Sequence, residues 1–550
     1  MNNKCYAIGV DFGTLSARAV IIDLECGRCV SDGISEYRHG VLDGKLPSGA
    51  SLYPDFALQD AEDYIESLIF SVREALSRTD INKEDVIALA IDFTASTVLP
   101  VDENGTPLSA LPEFSDNPHA YVKLWKHHSA SREGLRVTEA LRRHDPERLR
   151  CYGGSISCEF LFPKLLETLR CAPEVFRRTA RFLEAADFVS MKLTGRHDAT
   201  SYCFSAYKAL NVGGYPDDEF FSSLDPALSG IIGTKIPKTT DPICKETGRL
   251  SSEFAEKLGL SEKTVIATPI IDAHASMPAL GITESGDMMV ILGTSACHII
   301  NSDKGTDVKG ICGYAKDAVI PGLYTYEAGQ AALGDIYAWF IDNCLSETLT
   351  EEARARGIGI HKLLGERAAA LRPGESGLVA LDWFNGSRTP YVDPDLSGAI
   401  FGLRLSTKPE EIYRALIEAT AFGTRAILEC FETAGIEIGN ITAAGGIAEK
   451  DGLLMQIFAD VTKREIRVPR VKFSSAYGAA MYAAVAAGKF GSLRDAANAL
   501  LSDEAKLYVP NPESSRIYDG LYEIYRELSE RFGKDGSISK KLREISKSGK

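Results

Sequence analysis

The segment Gly9-Val10-Asp11-Phe12-Gly13-Thr14-Leu15-Ser16-Ala17-Arg18 sets an acid, a glycine two residues on and a hydroxyl between two apolar runs, 6–10 and 19–22. The pattern predicts strand, tight turn, strand. Backbone amides of Gly13 and Thr14 in such a turn can hold phosphate oxygens. Asp11 stands where a metal ion between phosphates needs a carboxylate, directly or through water. A second turn of this kind, Leu292-Gly293-Thr294-Ser295-Ala296, follows the apolar run 288–292 and precedes another at 297–300. Either turn alone is first an ordinary hairpin. Two of them, in corresponding halves of the chain, point to a nucleotide held between two related domains.

Asp272 ends an apolar strand pattern and is followed by small residues, a common place for a functional acid in an α/β sheet. Phosphoryl transfer to an alcohol needs a carboxylate that accepts the hydroxyl proton as the nucleophile attacks in line. Asp272 is the candidate general base, with a helix cap as the plain alternative. Gly445-Gly446 follows a short strand pattern at 441–444 and opens a helix. The glycines either let backbone approach a flat ligand such as a purine or simply make a packing turn. Lys208 lies in a mostly uncharged segment, and Glu327 is expected to start a helix; a solvated lysine and a first-turn glutamate are their bland readings. His127-His128 resembles a metal pair, but neighbours on a strand point to opposite faces, so a surface or substrate-contact role is expected. There is no G-x-x-x-x-G-K-[ST], G-x-S-x-G or H-E-x-x-H sequence, which excludes three common catalytic signatures.

The elements that must position these residues read as α/β. Strands are expected near 6–11, 18–24 and 29–37, a helix after Asp60, and a strand at 86–92. The stretch 103–155 reads as irregular. Helical patterns follow at 158–171, 173–179 and 184–193, with a loop-rich span at 210–245. In the second half a strand is expected at 318–320. Helices are expected at 327–344, 361–371, 409–434, 449–462, 474–487 and 516–532, and the polar end, 533–550, reads as frayed.

A chain of 550 residues exceeds one core, and its 45% hydrophobic and 25% charged content is that of a globular protein. A net charge of −15 argues against a nucleic-acid partner. The chain runs from Met1 straight into its first strand pattern, with no targeting segment, so the cytoplasm is the expected compartment. The twelve cysteines are scattered, and the single C-x-x-C at Cys26 and Cys29 reads as a hairpin turn.

The motifs together resemble the FGGY carbohydrate kinases, over nearly the whole chain. The turns at Gly13 and Gly293 and the pair Gly445-Gly446 are features of the wider superfold. A narrower match rests on 92–95 (Asp-Phe-Thr-Ala), on 116–119 with 123–128, on 152–157, and on Tyr207-Lys208-Ala209. It continues through Asp272-Ala273-His274-Ala275 and 326–330. Many members carry W-x-D-x-R where this chain has Trp125-Lys126-His127-His128-Ser129, which favours the members that phosphorylate L-ribulose in L-arabinose catabolism.

The resemblance implies two RNase H-like domains of the actin/hexokinase/Hsp70 superfold around a central cleft. Residues 1–280 would form the first, 281–532 the second, and 533–550 a polar tail. It implies ATP and Mg²⁺, with Asp272 as base and Ala95, Lys208, Asp272 and Glu327 on the sugar. Asp11, Gly13 and Thr14 would face the phosphates and metal. Gly293 and Thr294 would hold the β/γ-phosphates, and Gly445 and Gly446 would lie against adenosine. The expected partners are the sugar and ATP, without nucleic acid or membrane, and a homodimer is left open. The alternatives are a kinase for another pentulose or pentitol, such as D-ribulose, xylulose or ribitol, and a non-enzymatic actin-like ATPase or sugar-responsive regulator.

Overall fold

The computed structural model describes residues 4–534 and 537–548. The chain divides into two compact units. The first gathers the residues up to Glu284 with Tyr314–Thr325 and Val471–Ser502; the second gathers Ser285–Gly313, Tyr326–Arg470 and the residues from Asp503.

In the first unit, strand Tyr6–Phe12 pairs antiparallel with Ser16–Asp23, which pairs in turn with Cys29–Glu36. On its other side it runs parallel to Val86–Phe93, and Val265–Ala267 continues the sheet. Every residue of Tyr6–Phe12 is buried, as expected of a strand covered on both faces. Helix Ala61–Ser77 starts where Asp60 accepts a hydrogen bond from the Glu62 amide, and it buries Tyr64, Leu68 and Val72 along one face. Helix Ser474–Ala486 shows why its sequence is so rich in small residues. A Cβ at Gly9 would fall 1.8 Å from the Ala476 carbonyl oxygen, and one at Gly478 would fall 1.7 Å from that of Ala275. The helix therefore lies directly on strand Tyr6–Phe12 and on helix Asp272–Ala279, and it fixes the helix that begins with Asp272.

A second sheet in this unit orders Leu58–Gln59, Val122–Lys123, Val98–Val101 and Arg181–Glu184. Its register sets Val98 opposite both Lys123 and Glu184. The stretch expected to be irregular holds helices Ser131–His144 and Pro146–Cys151. The buried residues of the first are Glu133, Gly134, Val137, Thr138 and Leu141. The spacing is helical, but only Val137 and Leu141 carry apolar side chains, so an apolar periodicity does not reveal the helix.

The second unit repeats the opening of the first. Strand Met288–Leu292 pairs antiparallel with Ala296–Ser302 and runs parallel to Ile441–Ala444; Ile466–Pro469 and Ala505–Tyr508 follow. Helix Pro409–Thr433 matches expectation, with Pro409 in its first turn and the Glu411 carboxylate accepting from the Lys408 amide at 2.6 Å.

Several expectations are corrected. Residues 318–320 form no strand: Asp317 has φ 58° and its carboxylate accepts from the Gly322 amide at 2.6 Å, which turns the chain there. The strands are Gly313–Lys316 and Tyr324–Gln330. Glu327 therefore lies within a strand, and the helix starts at Gly334. The aromatic and β-branched run Tyr324-Thr325-Tyr326 favours the pleated backbone. The helix expected at 449–462 is two, Gly446–Lys450 and Gly452–Thr462, with Asp451 capping the second through the Leu454 amide. Within the end expected to fray, Ser537–Ser548 is helical. Among the described residues no helix is long and apolar enough to cross a membrane.

Candidate functional site

Both predicted turns form. In the first, the Gly13 amide donates to the Ser16 carbonyl at 3.0 Å. Asp11 pairs with Arg18 at 3.0 Å. The Thr14 carbonyl accepts from Gln59 Nε2 at 2.7 Å, and Tyr64 in turn donates to Gln59 Oε1 at 2.7 Å. The Thr14 hydroxyl accepts from Trp125 Nε1 at 3.2 Å. A Cβ at Gly13 would meet nothing nearer than the Ser16 carbonyl oxygen at 3.6 Å. The fold itself does not require glycine there, so its effect is to keep the space beside the turn clear.

The second turn repeats the geometry with different supports. The Gly293 amide donates to the Ser295 carbonyl at 3.0 Å. The amides of Leu333 and Gly334 donate to the carbonyls of Thr294 and Gly293 at 2.8 and 3.0 Å. A Cβ at Gly293 would find only the Ser295 carbonyl oxygen, 3.8 Å away. The glycine pair divides its roles. Gly445 has φ 95°, and a Cβ there would fall 2.5 Å from the Leu292 carbonyl oxygen, so packing accounts for it. A Cβ at Gly446 would meet nothing within 4 Å, so this glycine leaves open surface.

Three carboxylates of the first unit lie on adjoining elements. Asp11 and Asp92 are register partners on parallel strands, and Ile270 pairs with Asp92 two residues before Asp272. Asp272 is the first residue of its helix and Ile271 occupies the cap position, so the helix-cap alternative does not describe it. Its Oδ1 accepts from the Ala273 amide at 2.7 Å. Asp92 is fully buried and neither of its oxygens receives a hydrogen bond. Burial, reinforced by the charges of Asp11 and Asp272, holds its carboxyl well above the usual carboxylate range. Sequence reasoning noticed Asp92 only as part of a family pattern. The signal that could have singled it out is the one used for Asp272, an acid near the end of an apolar strand.

Ala95 lies half-buried in the turn after strand Val86–Phe93. Lys208 ends helix Tyr202–Lys208, with its ammonium 5.4 Å from the centre of the Phe160 ring and 5.6 Å from that of Tyr207. Glu327 is buried in its strand in the second unit. The expectation for His127 is corrected: it is completely buried, 3.1 Å from Glu167 Oε2, and belongs to the interior, whereas His128 is exposed and pairs with Glu159 at 3.1 Å. Lys123 also reaches Glu167, at 2.5 Å. Burial holds His119 down to about 3 and His127 to about 4. Burial opposes the Glu167 charge, but Lys123 and His127 outweigh it and hold its carboxyl below the ordinary range. Cys26 and Cys29 flank a hairpin and are unpaired thiols. Among the described residues no group of three or more His, Cys, Asp or Glu side chains could hold a metal ion by itself.

With this geometry in view, the chain can be set beside known proteins. Residues 6–279 match the N-terminal domain model of the FGGY family of carbohydrate kinases, and residues 288–487 match its C-terminal domain model. A ribulokinase of Halalkalibacterium halodurans is 45% identical over 548 residues, covering 98% of this chain and 97% of its own. A ribulokinase of Staphylococcus aureus is 37% identical over 545 residues, covering 98% and 99%. Among solved structures, a xylulose kinase from Rhodospirillum rubrum superposes with a TM-score of 0.79 at 24% identity, covering 96% of this chain and 99% of its own. A glycerol kinase of Plasmodium falciparum with ADP gives 0.76 at 18% identity, covering 95% and 98%. These last two likenesses show the fold.

Proposed function

The chain belongs to the FGGY family of carbohydrate kinases, and from that premise we propose that it transfers the γ-phosphoryl group of ATP to the terminal hydroxyl of L-ribulose, giving L-ribulose 5-phosphate. The observation that carries this reading is the 45% identity to a ribulokinase over 98% of the chain. The departure from W-x-D-x-R at 125–129, where Trp125 is followed by Lys126, His127, His128 and Ser129, supports it.

Asp272 acts as general base. Its place at the start of a helix, with Oδ1 engaged by the Ala273 amide, orients the carboxylate. Burial raises the Asp92 carboxyl and so disfavours a third negative charge beside Asp11 and Asp272, where an anionic nucleotide must approach. Ala95, Lys208 and Glu327 contact the sugar. The amides of Thr14 and Thr294 donate to phosphate oxygens, while Gly13 and Gly293, whose own amides close their turns on Ser16 and Ser295, keep the space clear where a Cβ would otherwise project. Open surface at Gly446 suits the adenosine. Asp11 suits Mg²⁺ as a single carboxylate ligand, because that ion keeps waters and takes its remaining ligands from phosphates. When bound, the ion neutralises charge that develops on the phosphoryl oxygens. The reading implies a cytoplasmic enzyme.

The test is ADP release at fixed Mg-ATP with L-ribulose, D-ribulose, L-xylulose, D-xylulose, ribitol and glycerol. The highest kcat/KM is expected with L-ribulose. D-xylulose or glycerol as the best acceptor would overturn the substrate and leave the sugar kinase.

A further inference from the structure

The turn that carries Ala95 is held by two buried ionisable side chains that the reaction itself does not use. Ser96 has φ 57°, left-handed backbone that is uncommon for a residue other than glycine. Its carbonyl oxygen accepts a hydrogen bond from Lys164 Nζ. The Thr97 amide, the other half of the same peptide group, donates to Glu184 Oε2 at 2.9 Å. One peptide plane therefore has a buried lysine on its C=O and a buried glutamate on its N–H. Lys164 is 1% exposed and Glu184 2%.

Lys164 also donates to the carbonyls of Leu124 at 2.8 Å and Lys123 at 3.3 Å. The same ammonium thus ties the Ala95 turn to the segment that presents Trp125 to Thr14. The second oxygen of Glu184, Oε1, is buried and receives no hydrogen bond. Burial, with the Asp187 charge, pushes the Glu184 carboxyl up to about 8, against the pull of Lys164 and of Lys208, the latter a proposed sugar contact. A turn between two strands needs none of this. Glycine at 96 would relieve the backbone, and ordinary backbone hydrogen bonds would close the turn without desolvating charges. Hydrogen bonds to ionisable side chains can be stronger and more directional than those between neutral groups, and here both fall on the Ser96–Thr97 peptide, one residue beyond Ala95.

We propose that Lys164 and Glu184 are positioning residues for the sugar: by gripping the Ser96–Thr97 peptide from both sides they fix Ala95, and with it the orientation in which the ketopentose is bound. The inference rests on the pentulose kinase reading. It adds two residues to that reading, and it makes two buried ionisable side chains on one peptide group, rather than direct contact alone, a determinant of sugar affinity.

The test is steady-state kinetics on Glu184→Ala, Glu184→Gln and Lys164→Met, with L-ribulose and ATP varied separately. Removing a charged partner from a buried hydrogen bond raises KM for L-ribulose about tenfold or more in Glu184→Ala and Lys164→Met, while KM for ATP stays within about twofold. Glu184→Gln keeps an acceptor for the Thr97 amide, and KM for L-ribulose returns to within about threefold of the parent value. An unchanged sugar KM in a folded variant overturns the inference. So does an equal rise in both KM values that glutamine does not reverse, which marks a general structural role. Should the variants fail to fold, hydrogen exchange at the Thr97 amide of the unaltered enzyme decides. Protection before any sugar is added is expected, and exchange at the rate of an open loop overturns the inference. If the unaltered enzyme prefers another sugar, the substrate assignment falls, and the same KM comparison on that sugar still judges Lys164 and Glu184.

Discussion

The turns at Gly13 and Gly293 share a sequence pattern and a strand–turn–strand geometry, yet they are held by different means. Side chains support the first beyond its backbone bond from the Tyr37 amide to the Leu15 carbonyl: Arg18 of the same hairpin on Asp11, and from distant segments Gln59 on the Thr14 carbonyl and Trp125 on the Thr14 hydroxyl. Backbone supports the second, through the amides of Leu333 and Gly334 at the start of helix Gly334–Cys344. Trp125 lies just beyond Lys123 and Leu124, whose carbonyls Lys164 holds. A turn held by side chains can thus answer to the segments around the sugar residues, whereas a turn held by backbone answers only to its own helix. On the proposed function, the first unit carries the general base, two of the three other sugar contacts and an adjustable phosphate turn, and the second offers a phosphate turn held by its own backbone together with Glu327.

The largest break in this comparison should come from Asp272→Asn. The amide preserves shape and removes the proton acceptor, and losing a general base costs about 10²–10⁴ in rate. Nucleotide affinity, measured by titration with ADP, should stay near the parent value. A purified variant with near-normal turnover would remove Asp272 from the base role.

Acid separates the units next. The first holds His119 and His127, pushed down by burial to about 3 and about 4; the most deeply shifted histidine of the second is His298, pushed down by burial to about 3. A histidine with a lowered folded value is neutral in the fold, while the unfolded chain takes up its proton near pH 6.5. Stability therefore falls as pH drops from about 6.5 toward the folded values, by at most about 1.4 kcal/mol per pH unit for each group. Glu167, whose carboxyl is held below the ordinary range, adds a further loss once pH falls below about 4.3, where the unfolded chain begins to protonate it. Asp92, whose carboxyl burial holds up, works the other way in the first unit, so the check is made on the rings themselves. In an NMR titration neither His119 nor His127 should protonate between pH 7 and pH 5; protonation of either ring in that window would contradict their assignment as neutral interior groups.

Glycine substitutions sharpen the contrast between the two turns. A Cβ at Gly334 would fall 2.8 Å from the Gly293 carbonyl oxygen and 3.0 Å from Ile447 Cδ1. Gly334→Ala should therefore move the second turn, lower stability by about 1–3 kcal/mol and raise KM for ATP. Gly13→Ala has room in the fold and should leave the melting temperature within a degree or two while still impairing phosphate binding. If Gly13→Ala destabilises the free protein as much as Gly334→Ala does, the clear space beside Gly13 has a structural rather than a ligand-binding cause.

Much of this was legible in the sequence. Strand–turn–strand patterns with a Gly-Thr pair between two apolar runs mark both turns, because apolar runs, turn residues and period all agree there. The helix Pro409–Thr433 announces both its ends. What escaped detection has physical reasons. The helix Ser131–His144 buries Gly134 and Thr138 in place of apolar residues. Glu327 follows aromatic residues that suit strand and helix starts alike in a short window. His127 looks like a surface residue because its polar partners, Glu167 and Ser129, lie elsewhere in the chain or on the next turn. The Lys164–Glu184 pair is invisible for the same cause: its members are far from Ser96 in sequence and meet on one peptide only in the folded sheet.

The smallest effect should come from Trp125→Phe, and it bears most directly on how the first turn is held. The indole donates a single 3.2 Å hydrogen bond to the Thr14 hydroxyl, and the ring is 38% exposed. Such a bond, close to solvent, contributes about 0.5–1 kcal/mol, so the phenyl ring should raise KM for ATP only about two- to fivefold. The informative quantity is how that change depends on sugar. If side chains couple the first turn to the sugar segments, the penalty at saturating L-ribulose should differ from the penalty measured by ADP binding without sugar. The two-residue cycle of Trp125→Phe with Glu184→Ala should then depart from additivity, although the side chains lie on different elements. Additive effects, together with an equal penalty with and without sugar, would mean that the first turn is as independent of the acceptor as the second, and the distinction between the two cradles would reduce to the chemistry of their supports.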